Sequence, residues 1–533
     1  MEAVNKQNAI DLSHHLSDVA RARGVSPLKA LQKYFGQPGI ISLAGGLPSP
    51  AYFPFDSLSG EIQASDALPA TPSRPTSTLS WLWSYLSSKK ADTTISIPKY
   101  PAHPGDINLA TTLQYSTVEG LPQLRSFIDN FVDKVYRPAY ANPAIITHAG
   151  NTDGWDKVVH MLCNPGEGVL VDVFTYATVL AQMQPAGYKP IPVDIDFQGM
   201  LPHELVAILS NWDEVARGMP RPHVLYQVPV GQNPTGMTTG SRRKKELYDI
   251  CVEFDIIIVE DDPYYFLQEG PYVPKAQRQN GADVIRDPEH WIETLSPSYL
   301  SRFDHQGRVI RLDSFSKTIA PGSRLGWYTG NPIFIEKLQR NNEVSSFGGS
   351  AFSSTLISTL LNTWGHDGYV RWLLGIRNQY TERRNFLMDC MHEEFSLQAS
   401  YTEKGILDGA LVYLARNKSY LPGRSYSDEK SNVDYGNVMF SVVPPTSGMF
   451  VWVRVNFENH ANYSPEFAKT LEMKLWTDIA EAGVLFAPGW MFNASGVETP
   501  HEGHYRISFS NASTEDMRRA LQIFAQVIRK FFV

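Results

Sequence analysis

"VLYQVPVGQNPTGMTTGSRRKKELYDICVEFDIIIVED", residues 224–261, decides the fold. It opens on the apolar run "VLYQVPV" (224–230) and closes on "IIIVED" (256–261), neither alternating with polar residues as a half-exposed strand would. Between them, "SRRKKELYDICVEF" places Leu247, Ile250, Cys251 and Phe254 at i, i+3, i+4 and i+7, with Ser241 as its N-cap. Strand, helix and strand in that order predict two parallel neighbours buried on both faces. "VLVDVF" (169–174) and "VIRLD" (309–313) extend the pattern to a mainly parallel α/β sheet.

The last third changes character. "MFVWVRV" (449–455) and "YRISFS" (505–510) read as strands of a smaller sheet. A final helix follows Ser513 or Thr514, with Met517, Leu521, Phe524, Ile528 and Phe531 on one stripe. We therefore expect an N-terminal segment (1–100), a large α/β domain (101–365) and a small α+β domain (366–533), with a ligand cleft between the last two. Three polar, turn-rich stretches look inserted: one beginning at "ASDALPATPSRPTSTLS" (64–80) and reaching to about 100, then 268–308 and 416–438.

The chain has 533 residues and a formal net charge of −8, which gives no electrostatic reason to expect nucleic acid. Cys163, Cys251 and Cys390 are too few and too scattered for a disulfide framework or a CxxC metal site, and no metal is expected. No apolar run approaches the ~18 residues of a membrane helix. The first residues carry acids and no apolar core of a signal peptide, so the expected location is cytoplasmic.

Four strand ends carry polar residues, and ligands of open parallel sheets bind beyond the carboxyl edge. "HAGNTDGW" (148–155) is a polar turn opening a helix, where Asn151, Thr152 and backbone amides could meet a phosphate. "GQNPTG" (231–236) could aim the Asn233 amide into the cleft, or be a plain turn. "VEDDPYY" (259–265) places two acids at the end of a buried strand, so each needs a partner: a structural cation or a cationic ring nitrogen. In "DSFSKTIAPGSRLGW" (313–327), Ser314, Ser316 and Arg324 could clamp a phosphate, and Lys317 beside other cations becomes a nucleophilic amine. A phosphate clamp, an acid for a pyridine nitrogen, an amide for a phenolic oxygen and an amine for an aldehyde are the groups that pyridoxal 5′-phosphate requires.

Six motifs in order, "ISLAGGLPSPAYFPF" (41–55), "LQYSTVEGLPQLR" (113–125), "GQNPTG" (231–236), "EDDPYYFL" (260–267), "SFSKTIAPGSRLGW" (314–327) and "YRISFS" (505–510), resemble the class I, fold-type I aminotransferases. Within that class the chain is most similar to fungal aromatic aminotransferases and the kynurenine/α-aminoadipate aminotransferase branch. The resemblance implies a seven-stranded large-domain sheet and pyridoxal phosphate linked to Lys317, which is also the general acid/base. It implies Asp261 on the pyridine nitrogen, Tyr264 and Asn233 on the phenolic oxygen, and Tyr176 stacked on the ring. Asn151, Thr152, Ser314 and Arg324 would hold the phosphate, with Tyr115 reaching that of a neighbouring subunit in a homodimer. Arg506 would grip the substrate carboxylate by a bidentate pair, and Gly45 and Gly46 would let the N-terminal segment approach the substrate. Lys29 stands where aminoadipate-using relatives can carry an arginine, so the implied preference is broader or aromatic (Trp, Phe or Tyr, with kynurenine and 2-aminoadipate still open), with a 2-oxo acid such as 2-oxoglutarate as partner.

Two other functions fit the same residues less well. A pyridoxal-phosphate lyase would use the same lysine and arginine and differ only in products. A cofactor-sensing regulator would need a basic DNA-binding domain, and the ~40 residues ahead of "ISLAGG" are expected to be too few for one.

Overall fold

The computed structural model describes residues 6–26, 34, 37–41, 43–44, 46–68, 93–115, 118–278, 285, 287–401, 407, 409–417, 437–464, 468–496 and 502–533. One sheet contains β1 (Ala144–His148), β2 (Gly168–Asp172), β3 (Lys189–Val193), β4 (Val224–Gln227), β5 (Ile257–Asp261), β6 (Val309–Ser314) and β7 (Gly326–Gly330). Its spatial order is β1-β7-β6-β5-β4-β2-β3. The pairs among β6, β5, β4, β2 and β3 are parallel. β7 is antiparallel to both of its neighbours. The periodicity did not reveal β7, because "GWYTG" is short and flanked by glycine.

Period-two geometry explains the unbroken apolar runs. Val169, Val171, Tyr226, Ile257 and Val259 feed the core on one face of the sheet. Leu170, Leu225, Ile258 and Val309 feed a second core on the other face. A strand covered on both sides has no solvent face on which to alternate polar residues.

Helix α1 (Asn151–Leu162) follows β1, and α2 (Ser241–Glu253) joins β4 to β5. The α2 boundary differs from expectation. Gly240 occupies the N-cap in an extended conformation without a side-chain cap bond, and Ser241 is the first helical residue. Residues 268–308 also differ from a plain polar insertion. They contain helices Pro288–Thr294 and Tyr299–Arg302, with Trp291, Tyr299 and Leu300 buried. Of the other two stretches, residues 69–92 and 418–436 lie outside the described residues.

Helix α3 (Ala351–Phe395) consists of two helical runs meeting at Gly365, whose φ of 66° breaks the regular backbone. Beyond it, β8 (Gln398–Tyr401), β9 (Leu411–Arg416), β10 (Val438–Val442), β11 (Phe450–Asn456), β12 (Ala487–Pro488) and β13 (Glu502–Ser508) form a second, antiparallel sheet. Its order is β8-β9-β10-β11-β13-β12. Ser513 caps α4 (Thr514–Phe531) by accepting from Asp516 N at 3.0 Å. The predicted stripe packs on Phe440, Val453 and Tyr505.

The two sheets meet where the loops after β4 and β5 touch the chain entering β11. Gly448 N donates to Leu267 O at 2.8 Å, and Gly270 N to Thr446 O at 2.9 Å. Gly231 (φ 56°) allows this approach, since a Cβ there would lie 2.6 Å from the Gly448 Cα. The junction brings the carboxyl edge of the first sheet to face β13 of the second. Among the described residues, no helix is long and apolar enough to cross a membrane.

Candidate active site

The acids at the end of β5 divide between two jobs because successive side chains of a strand point to opposite faces. Glu260 and Asp262 share one face with Arg311 of β6, which sits in register opposite Glu260. The buried Arg311 guanidinium lies 3.3 Å from Glu260, 3.0 Å from Asp262 and 2.9 Å from Asp313. It also covers the rings of Tyr136 and Tyr265 at 4.2 and 4.7 Å. Asp262 therefore has the structural cation.

Asp261 points the other way. Its carboxylate accepts from the Tyr226 hydroxyl at 2.5 Å and from Asn151 Nδ2 at 2.6 Å. Burial raises its pKa, and these two hydrogen bonds oppose the rise by favouring the ionised form. Tyr226 is fully buried against Trp155, 4.6 Å between centroids, so its hydroxyl is fixed in place.

Asn151, Thr152, Tyr176, Asn233, Asp261, Tyr264, Ser314, Lys317, Arg324 and Arg506 line one cavity of about 350 Å³. Of the predicted residues that are described, Gly46 and Tyr115 do not line it. Gly45 lies outside the described residues, as does Lys29. Gly46 is exposed, with nothing within 4 Å of where a Cβ would be. Tyr115 is 60 % exposed and faces Phe347, 5.8 Å between ring centroids. A larger cavity of about 820 Å³ shares Arg506 but holds none of the other predicted groups.

One end of the smaller cavity gathers donors. Ser314 Oγ bonds Ser316 Oγ at 2.7 Å and accepts from Ser316 N at 3.0 Å. Arg324 Nη1 reaches Pro321 O at 2.9 Å and Ser316 Oγ at 3.4 Å. Gly150, the N-cap of α1 with φ of 96°, lies directly under the Arg324 guanidinium, and a Cβ there would collide with it. Asn151 behaves differently from the sequence expectation. Both hydrogen bonds that its Nδ2 donates go elsewhere, to Asp261 and to Leu312 O at 3.1 Å, so its contribution to an anion at this helix end is its backbone N–H.

Lys317 is half-buried between these donors and Arg506. Burial lowers its pKa, and the charges of Arg324 and Arg506 lower it further. Opposite, Arg506 Nη1 donates to Asn233 Oδ1 at 2.6 Å, and its guanidinium lies 4.4 Å from the Phe450 ring centroid and 4.8 Å from that of Phe492. Arg506 Nε is buried without a hydrogen-bond partner. Tyr264 meets Phe450 edge-on, and burial raises its phenol pKa. The Asn233 turn is braced from below. Gln232 donates to Asp172 Oδ2 at 3.0 Å and to Phe174 O at 2.6 Å, while its own Oε1 accepts from Thr235 N at 3.0 Å.

The residues present fit pyridoxal 5′-phosphate. A helix N-terminus, two serines and Arg324 around the Gly150 cradle suit its phosphate, Asp261 its ring nitrogen and the depressed lysine its aldehyde. Sequence reasoning missed Tyr226, Phe450 and Phe492. A tyrosine interrupting the aliphatic run of β4 was the available signal for the first. The others are placed by tertiary contact alone.

Residues 106–407 match the family model described as aminotransferase class I and II. An aromatic amino acid aminotransferase of Schizosaccharomyces pombe is 36% identical over 98% of this chain and 98% of its own length. An L-tyrosine:2-oxoglutarate aminotransferase of Serpula lacrymans is 32% identical over 93% of this chain and 86% of its own. Among solved structures, an aminotransferase from Candida albicans superposes with a TM-score of 0.82 and 32% identity, covering 99% of this chain and 100% of that one.

Proposed function

Because this chain belongs to the class I and II aminotransferase family, we propose that it moves the amino group of an aromatic L-amino acid to a 2-oxo acid such as 2-oxoglutarate. The observation that carries this reading is the meeting, in one cavity, of Lys317, Asp261 and the Ser314–Arg324 donors from one sheet with Arg506 from the other. Its cofactor is pyridoxal phosphate, which when bound supplies an aldehyde carbon and an electron-accepting ring.

Each residue's part follows from its surroundings. Asp261, whose ionised form Tyr226 and Asn151 favour against the burial that raises its pKa, would hold a proton on the ring nitrogen. Asn233 spends its carbonyl oxygen on Arg506, leaving its amide N–H to join the Tyr264 hydroxyl at the phenolic oxygen. Tyr176 would cover a ring face, and Ser314, Arg324, Thr152 and the start of α1 would bind the phosphate. Arg506 grips the α-carboxylate with its planar fork, oriented by Asn233 and by the Phe450 and Phe492 rings. Lys317 is more often a free amine than a surface lysine would be, so it could take the α-proton of a bound amino acid and hold it for return. Both half-reactions use this one site in turn, so steady-state rates should follow a ping-pong pattern.

The aromatic preference is supported by the relatives' activities and by the aromatic rings flanking Arg506. A homodimer, with Tyr115 reaching the neighbouring phosphate, is supported by exposed Leu43, Tyr52 and Tyr115, which are 93 %, 85 % and 60 % accessible in the single chain. The test offers tryptophan, phenylalanine, tyrosine, kynurenine and 2-aminoadipate in turn with 2-oxoglutarate and measures glutamate. Fastest turnover with an aromatic donor supports the reading. Ammonia without glutamate would assign a lyase instead, and fastest turnover of aminoadipate would overturn the substrate class.

A further inference from the structure

The opposite edge of the large sheet carries a second cluster, unconnected with the chemistry above. His14 and His15 end the short turn Ser13–His15, and the segment holding them is tied down on both sides. Ala9 N donates to Asn142 Oδ1 at 2.8 Å, and Ser17 N to Met161 O at 2.8 Å. Both histidines turn onto one carboxylate. His14 Nε2 lies 2.8 Å from Asp255 Oδ2, and His15 Nε2 lies 3.1 Å from Asp255 Oδ1. One ligand atom from each of the three residues lies within 4.8 Å of the other two.

The surroundings resemble the outer partners that orient metal ligands. The buried His15 turns its other nitrogen, Nδ1, to His223 Nδ1 at 3.0 Å. His223 Nε2 in turn faces Glu167 Oε2 at 3.5 Å. Arg308 Nη1 holds Asp255 Oδ1 at 2.6 Å, which leaves Oδ2 as the ligand oxygen on the His14 side. A cavity of about 530 Å³ opens beside the cluster, and it also admits Arg21 and Arg221. Tetrahedral zinc, with bonds of about 2.0–2.1 Å, separates its ligand atoms by roughly 3.3 Å, about half an ångström beyond the 2.8 Å between His14 Nε2 and Asp255 Oδ2.

We propose that His14, His15 and Asp255 form a binding site for a divalent cation of the zinc type, with a water from the adjoining cavity as fourth ligand. Two imidazoles and a carboxylate select zinc, cobalt or nickel over the hard, all-oxygen-ligated magnesium and calcium. His223, with Glu167 behind it, is a positioning residue that orients His15. The site's role is a clamp. Asp255 immediately precedes the β5 core, so bound metal ties the N-terminal segment to the amino edge of the sheet, at the end opposite Lys317. No sequence motif announces it, because the ligands come from positions 14, 15 and 255.

The test uses untagged holoenzyme, stripped with a chelator and desalted, then titrated calorimetrically with zinc chloride and followed by thermal unfolding. The expected result is about one zinc per chain and a rise in the unfolding midpoint. His14→Ala, an exposed position whose loss should leave folding intact, abolishes both effects. His223→Gln keeps the stoichiometry and weakens affinity by about tenfold to hundredfold. Absence of stoichiometric binding by the wild-type chain overturns the proposal, and so does undiminished binding by His14→Ala. Because Lys317→Ala leaves this site untouched, its zinc binding should match wild type even if the proposed activity fails.

Discussion

Replacing Tyr226 by phenylalanine removes one hydroxyl from a fully buried ring and leaves its packing on Trp155 in place. What is lost is the 2.5 Å donor to Asp261. A hydrogen bond to a charged group contributes about 1.5–3 kcal/mol, and 1.4 kcal/mol corresponds to roughly a factor of ten. The ionised form of Asp261 should therefore be disfavoured by about tenfold to hundredfold, with Asn151 Nδ2 as its remaining donor. The direction is fixed. Burial already raises the Asp261 pKa and the Tyr226 bond lowers it, so deleting the bond raises it further. Protonated Asp261 cannot hold a proton on the ring nitrogen, so the acid limb of kcat/KM against pH should move to higher pH. On that acid limb, where protonation of Asp261 already limits the rate, kcat/KM should fall by about tenfold to hundredfold, recovering as pH rises. The pH titration of bound-cofactor absorbance should shift the same way, a readout that a purely structural role would not move. Wild-type kcat/KM with an unmoved acid limb and an unchanged spectral titration would refute the reasoning.

Other outcomes follow from single contacts. Gly150→Ala drives a Cβ into the Arg324 guanidinium, so equilibrium dialysis should show pyridoxal phosphate bound more than about tenfold more weakly. Arg506→Lys keeps the charge and loses the fork, which should raise KM for amino acid and 2-oxo acid alike by about tenfold or more in steady-state assays. Arg311→Met leaves three buried acids without their cation, and denaturant unfolding should register a loss of about 3–5 kcal/mol.

The large sheet was legible because its strands are covered on both faces. Leu170 and Val171, buried in different cores, leave no polar alternation in the sequence, and the Leu247–Cys251 spacing marked the helix between two such strands. The cavity residues after β4, β5 and β6 were legible for a related reason: polar groups at the ends of buried strands need partners, and there are few places for them to go. What could not be read depends on register and on distant segments. Which of the paired acids faces the cleft is set by the β5–β6 register that aligns Glu260 with Arg311, not by composition. The second donor to Asp261 is a strand tyrosine, silent until β4 and β5 lie side by side. The Asn151 amide looked like a phosphate ligand from its helix-opening position, yet Asp261, 110 residues away, offered a stronger acceptor in the same cavity. Ser241 failed as a cap because the extended chain reaches Gly240 before the helix begins.

Borohydride reduction of the holoenzyme, followed by digestion and peptide mass spectrometry, tests the central claim most directly, because it fixes the cofactor to whichever amine holds it. The account predicts a phosphopyridoxyl group on Lys317 in the peptide spanning "SFSKTIAPGSR". An adduct on any other lysine, or a reduced protein carrying none, would contradict it.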